Sequence, residues 1–197
     1  MFLVAGVDEV GRGCLFGPVV AASVVIAEED LPSLLALGVK DSKKLSASKR
    51  VKLATQIKQT VPAVGIGYAT VAEIEELNIL RASLLAMNRS VLKLSVQPQL
   101  CLIDGQCQIP NLSIPQQTLI RGDQLSPVIA AASIIAKVWR DELIIRWAAR
   151  YPSYDLANNK GYGTVKHRLA LQQYGVSPQH RLSFVDHLVL LQSQNNL

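Results

Sequence analysis

Residues 2–26 read FLVAGVDEVGRGCLFGPVVAASVVI, two apolar runs joined by a glycine-rich bend. Phe2–Val7 and Val19–Ile26 are short, rich in Val and Ile, and bounded by turn formers, the pattern of buried strands. With only Gly11–Gly17 between them, they are expected to pair antiparallel. Asp8-Glu9 breaks the apolar pattern. Acids usually sit on solvated surface, yet this pair ends an apolar strand and leads straight into Val10-Gly11-Arg12-Gly13.

Outward from this core, Val64–Ala69 predicts a third strand, and Thr70 with Glu73 forms a capping box for a helix over Val71–Leu77. Leu80, Leu84, Met87, Val91 and Leu94 lie on one helical stripe. Leu100–Ile103 and Thr118–Ile120 predict two further strands, the first ending at Asp104-Gly105 and the second at Arg121-Gly122-Asp123. Ser126-Pro127 opens the strongest helix, running from Val128 to about Arg150, and Thr164 starts another that Gly175 ends. Strands cluster first and then alternate with helices, which predicts an α/β class: a mixed sheet flanked by helices.

The chain has 197 residues, 49% of them hydrophobic and 18% charged, a balance that excludes a disordered chain. No repeat or linker divides it, so one domain over residues 1–197 is expected. Mean hydropathy is +0.24, but the longest apolar stretch, Cys14–Ala27, is interrupted by Gly17, Pro18 and Ser23 and is too short to span a bilayer. With Asp8 and Glu9 interrupting any signal-peptide core, a cytoplasmic protein with no membrane attachment is expected. Cys14, Cys101 and Cys107 are odd in number and lack zinc-ligand spacing, so they read as reduced thiols.

The formal charge is +5, and residues 137–181 carry eight basic residues against three acidic ones. A basic surface there would attract a polyanion, nucleic acid being the commonest. The Lys40-Asp41-Ser42-Lys43-Lys44 segment with Lys49, Arg50 and Lys52 adds a second basic cluster.

Asp8-Glu9, Asp104 and Asp123 each follow an apolar strand and stand beside or near a glycine. If those strands are neighbours, four carboxylates meet at one rim of the sheet. Charges that close repel and take up protons unless cations are bound. Mg²⁺ or Mn²⁺, which prefer oxygen ligands, would settle there, and two such ions would support phosphodiester hydrolysis. The competing reading makes Asp104-Gly105 and Gly122-Asp123 ordinary turn residues.

These residues resemble the type 2 bacterial ribonuclease H family, ribonuclease HII. The resemblance rests on Gly6–Gly13, Gly17–Ala22, Asp41–Ser46, Ile103-Asp104-Gly105, Gly122-Asp123, Ile129–Val138 with Arg140-Asp141, and Lys160-Gly161-Tyr162-Gly163-Thr164. It runs in order from about Val4 to Phe184. It implies a ribonuclease H-like fold with a central mixed five-stranded sheet, and a small helical segment from about Tyr151 helping to close over the duplex. It also implies an endonuclease acting on RNA in RNA–DNA hybrids and cutting 5′ to single ribonucleotides in duplex DNA. Such an enzyme leaves 3′-hydroxyl and 5′-phosphate ends and serves ribonucleotide removal.

The family's metal-binding and catalytic carboxylates fall on Asp8, Glu9, Asp104 and Asp123. Gly11, Arg12 and Gly13 correspond to a turn whose backbone meets the ribonucleotide 2′-hydroxyl, the group that separates RNA from DNA. Tyr162 corresponds to a ring that stacks on the following deoxyribose. Lys43 and Lys44 would contact phosphates, as Ser133 and Lys137 would from the long helix. Asp141 reads equally as a structural ion pair or as a group behind the metals, and the three histidines have no evident chemistry.

Two departures stand out. Arg121 replaces a common lysine, and Asp155-Leu156 replaces a Gly-aromatic pair ahead of the Tyr162 loop. The tail from Gln192 to Leu197 has no sliding-clamp docking motif, and a monomer is expected. The rivals are a nuclease or strand-transfer enzyme that ignores the 2′-hydroxyl, and a non-catalytic hybrid-binding protein.

Overall fold

The apolar runs form the middle of a five-stranded sheet in the computed structural model, which describes residues 1–39 and 45–185. Strands β1 (Leu3–Val10) and β2 (Val19–Ala27) pair antiparallel, from Leu3 opposite Ala27 to Val10 opposite Val20. On the far side of β2 lies β3 (Ala63–Ala69), also antiparallel. Beyond β1, strands β4 (Leu100–Asp104) and β5 (Gln116–Leu119) run parallel to it. The order β3-β2-β1-β4-β5 is the expected mixed sheet.

Pairing does not stop before the acids. Asp8 lies opposite Ala22 and Glu9 opposite Ala21, so their backbone is fixed by the ladder rather than hanging beyond it. The last strand is Gln116–Leu119 rather than Thr118–Ile120, with Ile120 outside it and 61% exposed. The Gln116 side chain explains the shift: its carbonyl accepts from Ile109 N and its amide donates to Ile109 O, anchoring the strand's first residue. A polar edge strand of this kind gives little hydrophobic periodicity.

One face of the sheet carries helix α6 (Pro127–Ala148), with α1 (Leu31–Ala36) and α2 (Ala47–Thr60) beside it. Side chains at Val4 and Asp8 share that face with Gly6, where a Cβ would come within 2.3 Å of the Val128 backbone. The helix therefore lies directly on the strand, and buries Val128, Ile129, Ile134 and Ile135 for about 1.5–3 kcal/mol each. The opposite face carries α3 (Val71–Leu77) and α4 (Ile79–Leu92), with Gly65 and Gly67 admitting the α4 backbone. A buried hydrogen bond, Ser23 Oγ to Ser90 Oγ at 2.6 Å, joins β2 to α4.

Helix α2 is absent from the sequence reading, which took Lys49, Arg50 and Lys52 as a basic cluster. They are the outer face of a helix whose Ser46 hydroxyl accepts from Lys49 N and whose Leu53, Ala54 and Ile57 are buried. Three buried positions in fourteen residues left only a faint helical period.

From Tyr151 onward the chain forms a 3-10 turn (Pro152–Tyr154) and helices α7 (Leu156–Asn159) and α8 (Val165–Tyr174), and Gly175 closes α8 at φ 72°. Helix α5 (Gly122–Leu125) is the short turn after β5. Phe16, Ile144, Tyr154 and Leu156 form a separate apolar cluster under this segment. The Asp155-Leu156 departure is accommodated there: Asp155 sits at φ 54°, and its carboxylate accepts from Asn158 and pairs with Lys166 at 3.2 Å. Leu156 fills the cluster. Among the described residues no helix is long and apolar enough to cross a membrane.

Candidate active site at the rim of the sheet

Parallel pairing of β1 with β4 brings the acids together. Val7 lies opposite Ile103, so Asp8 and Asp104 leave neighbouring strands at the same level. Asp8 is only 5% exposed. It accepts a 2.7 Å bond from the Glu9 amide, and the nearby Ser133 hydroxyl on α6 favours its charged form. Burial, then the charges of Glu9 and Asp104, hold its carboxyl well above the usual range. Glu9 is raised too, by burial, although Arg12 at 3.1 Å opposes the shift.

Asp104 Oδ1 accepts from Gly122 N at 2.6 Å, which ties β4 to the start of α5. Asp123 is the next residue, on that helix turn rather than at a strand end, and is half-buried. Arg121 ahead of it adopts φ 55°. The structure thus gathers Asp8, Glu9 and Asp104 electrostatically and sets Asp123 beside the loop that holds Asp104.

Among the described residues no three His, Cys, Asp or Glu side chains are closed into a finished ion cage. Two observations nevertheless fit a cation at this rim. Glu9 Oε2 is buried without a hydrogen-bond partner among the described residues, and Asp8 is a desolvated carboxylate beside two others. A buried acceptor left unmade costs about 1–3 kcal/mol, more when charged, which a hard cation would recover.

The glycine-rich bend lies next to this rim. Gly11 has φ 91°, and the space its side chain would fill is taken by the Arg140 guanidinium, 2.3 Å from an ideal Cβ. Arg12 is half-exposed, whereas Gly13 has nothing within 4 Å of a Cβ and borders open space. Tyr162, 39% exposed, stands between Gly161 and Gly163. Lys137 Nζ lies 5.3 Å from its ring centre, and burial, with the Cys14 thiol beside it, pushes the phenol up to about 12.

Ser133 and Lys137 are engaged within the protein, the first with Asp8 and the second with Asp141 at 2.8 Å. Asp141 thus makes the ion pair that its spacing from Lys137 allows. Cys14 and Cys101 are buried free thiols and Cys107 an exposed one. Lys43 and Lys44 lie outside the described residues.

Two buried arginines, Arg140 and Arg181, were counted in the sequence as part of a basic surface and are both 0% exposed. Arg140 donates to the carbonyls of Pro18, Lys160 and Phe16 at 2.8–3.0 Å. Arg181 donates to those of Gly17 and Arg12 at 2.9 and 2.8 Å. Together they bind the glycine-rich bend to the Tyr162 loop, reinforced by Leu15 N and Phe16 N donating to Gly161 O. Burial lowers the Arg181 guanidinium to about 10. Nothing in their local sequence distinguishes them from the solvated arginines nearby.

Two of the three histidines are interior residues, and His187 lies outside the described residues. His167 and His180 are buried, with their Nε2 atoms 3.0 Å apart. Burial lowers both imidazoles, His180 to about 4. A pKa depressed on folding leaves the unfolded chain binding more protons as pH falls below the ordinary imidazole range, so stability drops through that window toward about pH 4. The raised Asp8 and Glu9 act in the opposite sense. The informative quantity is therefore a difference: between pH 7 and 5 the wild type should lose about 2 kcal/mol more than His180→Asn in urea denaturation. Equal losses in the two proteins would refute a neutral buried pair.

Comparison with known proteins gives a consistent picture. Residues 5–187 match the ribonuclease HII family. The Acaryochloris marina protein named ribonuclease HII is 59% identical over 181 residues, covering 92% of this chain and 91% of that one. Among solved structures, ribonuclease H2 from Pyrococcus horikoshii OT3 superposes with TM-score 0.83 at 27% identity, over 98% of this chain and all of that one. Bst-RNase HIII in complex with Mn²⁺ shares the fold at TM-score 0.78 and 22% identity, over 98% of this chain and 71% of that one. The ribonuclease H-like fold, the acids on its central strands and the match across nearly the whole sequence lead to one conclusion: this chain belongs to the ribonuclease HII family and is an endoribonuclease of RNA–DNA hybrids.

Proposed function

We propose that the protein cuts hybrids, and DNA duplexes carrying single ribonucleotides, on the 5′ side of a ribose by divalent-metal-assisted hydrolysis leaving 3′-hydroxyl and 5′-phosphate ends. The observation that carries this reading is the buried Asp8 carboxylate beside the half-buried Glu9 and Asp104, with an unpartnered Glu9 oxygen, adjoining the Gly11–Gly13 bend. Asp8, Glu9, Asp104 and Asp123 would hold two Mg²⁺ or Mn²⁺ ions. Bound there, the ions would activate water and stabilise the leaving oxygen. The Mn²⁺ complex of the related fold supports this choice of cation class.

The chain's own groups supply selection. Backbone at Gly11, Arg12 and Gly13 would meet the 2′-hydroxyl, Tyr162 would stack on the next sugar, and Lys43 and Lys44 would bind phosphates. The protein would act as a monomeric cytoplasmic catalytic domain on nucleic acid.

A labelled DNA duplex containing one ribonucleotide tests the reading. One cut 5′ to the ribose is expected with Mg²⁺ or Mn²⁺, none after chelation and none in all-DNA duplex. Cleavage of both duplexes would refute 2′-hydroxyl selection, and no cleavage by folded protein would refute hydrolysis.

Gly13→Ala isolates the selection. Its added methyl meets no protein atom within 4 Å, and its backbone needs no left-handed angle, so stability should change by less than about 0.5 kcal/mol. Cleavage at the ribonucleotide should fall about tenfold or more, because only substrate occupies that space. Unchanged cleavage would remove Gly13 from the substrate contact.

A further inference from the structure

Tyr162 poses a mechanical problem for the proposed function. Its neighbours are Gly161, at φ 87°, and Gly163, so local sequence does little to stop the ring from swivelling. Backbone bonds from Tyr162 N to Asn159 O and from Thr164 N to Tyr162 O close the turn. A third contact reaches the same carbonyl from outside it: His167 Nδ1 lies 2.9 Å from Tyr162 O.

That imidazole is one end of a buried chain. His167 Nε2 is 3.0 Å from His180 Nε2, and His180 Nδ1 receives the Ser177 amide at 2.9 Å, with Ser177 Oγ at 2.8 Å. The two ends dictate the protons between them. A carbonyl only accepts, so His167 Nδ1 carries hydrogen; an amide only donates, so His180 Nδ1 is bare. With both rings neutral, His180 Nε2–H donates to the bare His167 Nε2. A proton added at either bare nitrogen would set two donors against each other.

The far end of the chain is anchored to the glycine-rich bend. His180 bridges Phe16 as a one-residue β-pair, Gly17 N donates to Gln179 O at 2.8 Å, and Arg181 N donates to Leu15 O at 2.9 Å. Tyr154 packs edge-on against both imidazoles, and its hydroxyl donates to Gly175 O.

We infer that the Ser177–His180–His167 relay is a positioning device that fixes the Tyr162 backbone relative to the Gly11–Gly17 bend, and with it the enzyme's preference for an RNA–DNA junction. The relay's hold on Tyr162 is a matter of geometry. The junction preference rests on the proposed role of Tyr162.

Matched substitutions separate the relay's parts. An Asn amide can take the place of His Nδ1, and a Gln amide that of Nε2. His167→Asn therefore keeps the donor to Tyr162 O, whereas His167→Gln keeps the approach to His180 and loses that donor. Two readouts are needed, on folded full-length protein: amide hydrogen exchange at residues 162–164, and the ratio of cleavage rates for a single embedded ribonucleotide against a uniform RNA–DNA hybrid. Tyr162→Ala serves as reference.

In His167→Gln, exchange at Thr164 should quicken about tenfold or more, and the cleavage ratio should move about tenfold toward that of Tyr162→Ala. His167→Asn, which keeps the donor to Tyr162 O but gives up the approach to His180, should restore only part of both, and full restoration in it would overturn the part assigned to His180 and Ser177. Unchanged exchange in His167→Gln overturns the relay, whatever the substrate results. A ratio altered in Tyr162→Ala but not in His167→Gln, despite faster exchange, overturns its role in selection. Faster exchange with a ratio unaltered in both variants supports the mechanical relay and overturns the junction-sensing role of Tyr162.

Discussion

Asp8→Asn is expected to reduce cleavage of a hybrid about a thousandfold or more while leaving the protein folded and more stable in chelator. The two effects share a cause. Asp8 is buried beside Glu9 and Asp104, and burial and both neighbouring charges work against its ionisation. An Asn oxygen can still accept from the Glu9 amide, and the amide can still meet Ser133, so the local bonds survive while the repulsion is relieved. In metal-free buffer the variant should gain about 1 kcal/mol in urea denaturation. The charge is what a cation would need, however, and its loss would remove one of the proposed oxygen ligands. Near-wild-type cleavage would exclude Asp8 from the metal site. A loss of stability in chelator would show that its charge is compensated within the protein.

Arg140→Met is expected to cost about 3–5 kcal/mol, the largest stability loss of any substitution considered. Met roughly preserves volume and helix propensity, but it abandons three carbonyls, those of Phe16, Pro18 and Lys160. It also leaves unfilled the space against Gly11. Arg140→Lys should recover only a fraction, since one ammonium cannot reproduce a planar fork reaching three acceptors. Guanidinium denaturation of the three proteins measures this directly. A loss under about 1 kcal/mol for Arg140→Met would mean that the carbonyls find other partners and that the two loops are held by their backbone bonds alone.

The metal-free and arginine variants probe different layers, and the sequence revealed them unequally. Strands β1 to β4, the Thr70–Glu73 capping box, α6 and the Gly175 end of α8 were legible because each rests on local chemistry: apolar runs, a proline at a helix start, a glycine at a helix end. The same reading placed Asp8, Glu9 and Asp104 at strand ends, since an acid terminating an apolar run is a local anomaly. Helix α2 and the true start of β5 escaped it. The first has few apolar positions, and the second is held by a glutamine side chain rather than by hydrophobic burial.

By itself, then, the sequence determined the class of fold, the acids and, through its ordered motifs, the family. Tertiary structure decided which charges are surface and which are framework. Arg140 and Arg181 look like their solvated neighbours until the chain folds, because an arginine's role depends on which carbonyls surround it: two of Arg140's three come from more than 120 residues away, and both of Arg181's from more than 160. The same holds for His167 and His180: thirteen residues apart, they acquire their proton arrangement only where an amide and a carbonyl close the two ends of the pair. Strand and helix signals are carried by neighbours in sequence, whereas the state of a buried polar group is set by partners that only folding supplies.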